Sequence, residues 1–114
     1  MLPTRSDLLQ GTLEMLVLRV LAIEPMHGWG IAQRLEQMSG DLFSVNQGSL
    51  YPALQRMKRK GWVRSAWRLT DNNRRARYYE LTGEGERQLA KERAAWERTA
   101  AAVNGVLDWS GSFA

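Results

Sequence analysis

NQGSLYPALQRMKRKGW, residues 46–62, decides how this chain is read. Leu50, Leu54 and Met57 fall on one face of a helix, at spacings of four and three residues. Asn46 suits the N-cap, where a side-chain oxygen accepts from an otherwise unpaired N–H, and Gly61 suits a left-handed cap one step past the end. Pro52 is out of place in a structural helix, since the missing N–H costs roughly 3 kcal/mol in an interior. That cost is smaller near the first turns, where few N–H groups have acceptors. The exit carries Arg56, Lys58, Arg59 and Lys60. A small, polar opening (Gln47, Gly48, Ser49), a phenol at Tyr51 and a cationic end suit a helix laid in the major groove. Its first residues would face base edges, and its last would face phosphates.

Outward from this helix the charge is uneven. Arg56, Lys58, Arg59, Lys60, Arg64, Arg68, Arg74, Arg75 and Arg77 stand against the single acid Asp71, whereas the remaining residues are net acidic. One basic segment in an otherwise acidic chain is the electrostatic footprint of a polyanion-binding surface. A solvated charged face is the plainer reading, and the missing acids argue against it.

Toward the N-terminus, residues 9–23 read as a helix with two apolar stripes. Leu9, Leu13, Leu16, Val17 and Val20 form one; Leu8, Met15, Leu18 and Ala22 form the other. A helix apolar on two sides must be covered on two sides, which calls for a partner chain in a domain this small. EPMHGWG, residues 24–30, is a break in which His27 acts as a cap or turn residue. A short helix follows over residues 29–38 with Ile31, Leu35 and Met38 on one face, and Phe43-Ser44-Val45 alternates like a brief strand. Toward the C-terminus, residues 62–69 and 76–81 favour extended structure around the turn cluster TDNNRRA. Of Tyr78 and Tyr79, one should face the core and the other the surface. Thr82 caps a last helix reaching about Leu107, in which Leu89, Trp96 and Val103 recur every seven residues.

The expected fold class is mainly α (α+β). Three helices followed by a two-stranded hairpin with a basic tip is the order of a winged helix-turn-helix, here with a two-stranded β wing and a long C-terminal helix. Residues 1–82 would form the DNA-binding unit, 83–108 the C-terminal helix of the same domain, and 109–114 a frayed tail.

The stretches GTLEMLVLRVL, PMHGWGIAQRLEQMSG, VNQGSLYPALQRMKRKGWV and NNRRARYYELTGEGERQL resemble the PadR family of bacterial transcriptional regulators, in its short subgroup with a single C-terminal helix. The resemblance covers nearly the whole chain from Gly11, and the pairing of GSLYPAL with NNRRARYYELT makes it specific. It implies a homodimeric repressor of a pseudo-palindromic operator in double-stranded DNA, with the third helix in the major groove and the wing near the minor groove or backbone. Gln47, Ser49 and Tyr51 match the recognition-helix positions, and Arg74, Arg75 and Arg77 the basic wing. Arg56 and Lys58 would reach flanking phosphates. The family's usual tyrosine of the HGYGI stretch is Trp29 here, so that phenol hydroxyl is absent.

The resemblance also implies dimerisation of the last helix on the partner's first, using Leu8, Met15, Leu18, Leu89, Trp96 and Val103. In some relatives a tryptophan at the register of Trp96 lines a cavity at the dimer centre. On that reading Trp96, bordered by Met15 and Arg19, would hold a flat aromatic small-molecule effector. The alternative is an interface tryptophan filling the seam.

The rest of the composition excludes more than it assigns. The chain lacks cysteine and has one histidine, so neither a disulfide nor a cysteine-ligated metal is expected, and no cofactor. No nucleophile–base pair stands out, so no enzyme is expected. Glu14 and Arg19 interrupt the N-terminal apolar run and no small-residue cleavage site follows, so no membrane span and a cytoplasmic location are expected. The rivals to an operator-binding regulator are a winged-helix module for protein contact, with its wing merely solvated, and an RNA-binding role. The latter is disfavoured because the aromatics do not form a stacking platform.

Overall fold

The computed structural model describes residues 12–113. Its elements are α1 (Leu13–Ile23), β1 (Met26–His27), α2 (Gly28–Met38), α3 (Gln47–Arg59), β2 (Val63–Leu69), β3 (Arg75–Leu81) and α4 (Gly83–Leu107). The three strands form one antiparallel sheet in the order β1-β3-β2. This is a winged helix-turn-helix whose wing is the β2–β3 hairpin.

Side chains at the helix openings account for the boundaries. His27 Nδ1 accepts from Gly30 N at 2.9 Å, Asn46 Oδ1 accepts from Ser49 N at 2.8 Å, and Thr82 Oγ1 accepts from Gly85 N at 3.1 Å. Each satisfies a donor that the helix itself leaves open. After α3 the chain turns through Gly61 at φ +80, the left-handed conformation expected of it.

Leu13, Val17, Leu18, Val20 and Leu21 of α1 meet Ile31 and Leu35 of α2 and Leu50, Ala53, Leu54 and Met57 of α3, with Val63 and Tyr79 from the sheet. Here three expectations change. Leu18, assigned above to a dimer interface, is 0% exposed and belongs to the chain's own core. The buried arc of α1 is wide because α2, α3, α4 and β3 all pack against it. The spare face that remains has Met15 half-buried, with Arg19 and Ala22 exposed. Leu8, and with it the expected start of this helix, lies outside the described residues.

The second change concerns strands. Residues 43–45 form no strand; Phe43 and Val45 are half-buried and pack against the core from a loop. The third strand is β1, inside the stretch read as a break, where Met26 pairs with Tyr79 and His27 with Tyr78. Two residues carry too little pattern to announce a strand, and β3 supplies the partner that makes one. Met38, expected on the inner face of α2, is exposed.

At the base of α4, the Thr82 hydroxyl donates to the Gly61 carbonyl at 2.6 Å and lies 3.0 Å from that of Trp62. Gly85 is buried one turn on, and a Cβ there would run into the Trp62 carbonyl oxygen. The helix is thus seated by close backbone contact. Along the rest of its 25 residues α4 buries little: Leu89 packs partly on the core, while Trp96, Val103, Val106 and Leu107 are exposed. Among the described residues no helix is long and apolar enough to cross a membrane.

Candidate nucleic-acid interface

Leu50, Ala53, Leu54 and Met57 anchor α3 in the core, so its opposite side is determined by the helical period of about 100° per residue. Gly48, Pro52, Gln55 and Arg59 run down the centre of that side, and all four are exposed. Tyr51 and Lys58 flank it on one edge, and Ser49 and Arg56 on the other. Tyr51 is 47% exposed and off the buried face. Gln47 and Ser49, beside the cap, are half-buried.

Pro52 is the sixth residue of α3, deeper than an opening-turn proline. It has no N–H to give the Gly48 carbonyl one turn earlier. Both residues lie on the exposed side, where water or a ligand donor can satisfy that carbonyl. The opening half of the outward face, at Gly48 and Pro52, is therefore low in profile, and Pro52 leaves the Gly48 carbonyl without its helical donor.

The wing extends this surface. Val63, Ser65, Trp67 and Leu69 of β2 pair with Leu81, Tyr79, Arg77 and Arg75 of β3, and all eight share one face of the hairpin. Near the helices that face is core, with Val63 and Tyr79 buried; farther out it carries Trp67, Leu69, Arg75 and Arg77. Tyr79, 1% exposed, marks the junction with α3. Burial raises its phenol above the ordinary tyrosine pKa, and the neighbouring Tyr51 phenol adds to that; Arg77 and a hydrogen bond from Gln55 pull the other way. One buried phenol thus feels both the outward edge of α3 and the wing. Its strand neighbour Tyr78 is half-buried, with His27 edge-on at 5.2 Å and the Arg68 guanidinium 5.4 Å from its ring.

Ion pairs sort the nine cations of the basic segment. Arg56 bonds Glu14 at 2.9 Å, with Lys60 3.6 Å from the same carboxylate. Arg64 and Arg68 reach Glu80 at 3.2 and 3.8 Å. Lys58, Arg59, Arg74, Arg75 and Arg77 have no acid partner within 4 Å among the described residues. Those five lie on or beside the outward side of α3, in the wing turn and on the Trp67 face. Arg56, grouped above with the phosphate-facing residues, is drawn back to α1. Arg59, read above as one of the exit cations, takes a central position, and so does Gln55, which the sequence pattern did not single out although the period that found Leu50 and Leu54 also points to it.

Beside this surface, Gly28 at the opening of α2 is buried against α3: a Cβ there would be 3.5 Å from Gln47 Oε1 and 3.7 Å from the Tyr51 hydroxyl. The next residue, Trp29, is exposed, its ring stacked 6.3 Å from His27. Of the residues read as effector-binding, Trp96 on α4 is 46% exposed, Met15 half-buried and Arg19 exposed. They lie on two helices that pack together. The Glu92 Oε2 on α4 is buried with no hydrogen-bond partner among the described residues.

A capped helix with a flat, cation-edged outer face, continued by a basic wing, defines a DNA-binding protein of the winged helix-turn-helix class. The chain belongs to the transcriptional regulator PadR-like family, whose model matches residues 17–91. It is similar to a PadR-like transcriptional regulator from Bacillus cereus, 25% identical with a TM-score of 0.80, over 91% of this chain and 99% of that one. A PadR family transcriptional regulator from Eggerthella lenta is 30% identical with a TM-score of 0.78, over 91% of this chain and 88% of that one. A stretch of 90 residues, 79% of this chain, is 37% identical to an uncharacterized 37.1 kDa protein in transposon TN4556 of Streptomyces fradiae, and spans 24% of that protein's length.

Proposed function

We propose that this DNA-binding regulator is a homodimeric repressor of a pseudo-palindromic operator. The observation that carries the reading is the sorting of cations: five without acid partners among the described residues lie on the outward side of α3 and on its wing. Gln47, Ser49 and Tyr51 meet base edges and adjacent phosphates, Lys58 and Arg59 hold the backbone along α3, and Arg74, Arg75 and Arg77 hold it at the wing. The second copy joins through Trp96 and Val103 of α4, with Leu89 near the helix base, against the Met15 face of α1. Two copies then set two α3 helices about one DNA turn apart, roughly 34–36 Å. Operator occupancy excludes polymerase. A flat aromatic effector seated on Trp96, bordered by Met15 and Arg19, would release the operator by changing the spacing of the two α3 helices.

Selection of bound sites from random duplex DNA tests the operator, which should emerge as an inverted repeat. Paired Arg74→Ala and Arg75→Ala substitutions test the wing: operator and random DNA should weaken about equally, since bonds to phosphate carry no sequence information. The slope of log affinity against log salt should shrink by roughly 0.9 for each phosphate left without its arginine. Failure to bind any duplex in a salt-dependent way would leave the protein-contact module as the better reading. For the effector, flat aromatic compounds should quench tryptophan emission in the parent more than in a dimeric Trp96→Phe protein; equal quenching removes Trp96 as the seat.

A further inference from the structure

The two faces of the wing differ in a way that overall charge conceals. On one face Arg64 and Arg68 are tied to Glu80, and Arg68 also covers Tyr78. That face is compensated from within. On the other, the Arg75 and Arg77 guanidiniums lie 5.2 and 5.3 Å from the Trp67 ring centroid, with no acid partner among the described residues. Trp67 is nevertheless 55% exposed, and its neighbour Leu69 63%. An indole and a leucine left in water at the end of a hairpin, flanked by two cations, are not there for the core, which ends at Val63 and Tyr79. The turn that presents them is closed by hydrogen bonds from Thr70 N to Arg74 O at 2.7 Å and from Asn73 N to Thr70 O at 2.9 Å. The patch is held in place before any partner arrives.

We propose that Trp67 is a DNA-contacting residue that enters the minor groove edge-on and packs on the sugar walls, while Arg75 and Arg77 take the phosphates on either side. The inference rests on the reading of the protein as a duplex-binding regulator and adds a second kind of contact to it. Guanidiniums over the ring occupy space that a stacked base would need, so the indole edge and Leu69 are what the wing offers. Deoxyribose edges are apolar, and minor-groove binding proteins do place apolar side chains in that groove, usually as wedges between base steps; a ring already covered by two guanidiniums is left with the sugars. A ring held by two cations also fixes the directions of those cations. The contact divides in two: the arginines supply a part of the affinity that salt weakens, and the indole supplies a part that salt leaves alone.

The test compares the parent, Trp67→Ala, Trp67→Phe and Arg75→Ala on a random-sequence duplex and an all-A·T duplex over a range of salt. Trp67→Ala should lower affinity about tenfold at every salt, giving a line parallel to the parent's. Trp67→Phe should recover part of the loss. Arg75→Ala should instead flatten the line by roughly 0.9. Netropsin, which fills the A·T minor groove, should weaken the parent on the all-A·T duplex and leave Trp67→Ala nearly unaffected.

Unchanged affinity in Trp67→Ala overturns the proposal and leaves the patch to a protein partner. A slope that falls in Trp67→Ala overturns it too, because the ring would then serve only to hold the arginines. Equal loss to netropsin in both proteins takes the indole out of the groove. If Trp67→Ala fails to fold by circular dichroism, Trp67→Phe under netropsin decides alone: a loss smaller than the parent's supports the groove contact, and a loss equal to the parent's overturns it. A parent with no salt-dependent binding to any duplex is a different failure, since it removes the DNA-binding reading itself.

Discussion

The residues from α1 to β3 and the helix α4 use apolar side chains in opposite ways. In the first region Val17, Leu18, Val20, Ile31, Leu50, Leu54 and Met57 are fully covered by their own chain. In the second, Trp96, Val103, Val106 and Leu107 are bare along a helix that buries only Gly85. Local geometry is equally good in both, since Asn46 caps α3 as Thr82 caps α4. The difference lies in what covers the helix. Capping determines where a helix begins, whereas burial of an apolar face decides whether it is stable alone. The head is finished by its own contacts, and α4 presents a surface that another molecule can finish.

The contrast breaks most visibly at Trp96. Truncating a buried tryptophan typically costs about 3–5 kcal/mol, and if α4 is covered by a second copy, that loss should appear as dissociation. Trp96→Ala should shift a micromolar sample toward monomer in sedimentation and abolish tight operator binding while leaving the head folded. Leu54→Ala, by contrast, should lower the stability of the head itself by about 2–5 kcal/mol. A Trp96→Ala protein that stays a full-affinity dimer would erase the distinction between the two regions.

A smaller effect sharpens the comparison within the head. Tyr51 is exposed on a helix whose other side is buried, so it resembles the bare residues of α4 more than its neighbours Leu50 and Leu54. Tyr51→Ala should change stability by less than roughly 1 kcal/mol, as surface substitutions do, while operator affinity falls about tenfold or more. A large drop in melting temperature with binding retained would move Tyr51 into the core group.

The smallest effect belongs to Tyr79, the one phenol in the finished core. Burial raises its pKa, so on alkaline titration the unfolded chain releases this proton first, near pH 10. The unfolded state then binds fewer protons than the folded one, and stability falls as pH rises. Below that range the group has no pH effect. Tyr79→Phe should cost about 0.5–1.5 kcal/mol at neutral pH through the missing hydrogen bond, and the gap should narrow above about pH 10. Denaturant melts of both proteins at pH 8 and 10.5 measure it; a constant gap would mean the phenol ionises alike in both states.

How much of the molecule is legible in the sequence depends on the distance over which each feature is encoded. The caps at His27, Asn46 and Thr82, the left-handed Gly61 and the hairpin are legible because each is settled within a few residues. Leu18 is misplaced by its sequence pattern because helical period shows that a face is apolar and not which neighbour covers it. β1 escapes notice because its partner, β3, lies some fifty residues on. The ion pair that turns Arg56 toward Glu14 joins residues 42 apart, which no local pattern reveals. Gln55 is within reach of the same period and is masked by the denser charge around it. Trp67 is hidden because a tryptophan in a strand reads as core until the sheet is seen to outrun the helices.

The clasp of Thr82 on the Gly61 and Trp62 carbonyls has a mechanical consequence. It ties the base of α4 to the exit of α3, so the two helices share a pivot. With 25 residues, α4 is a rigid arm of roughly 38 Å. In a pair of chains joined at the middle of these arms, a rotation of about 10° at the joint would swing each α3 through roughly 3 Å, close to the rise of one base step. In such a pair the arm would trade angle for displacement: a side-chain adjustment at its middle would become a loss of register at the DNA, with no change in any residue that touches a base.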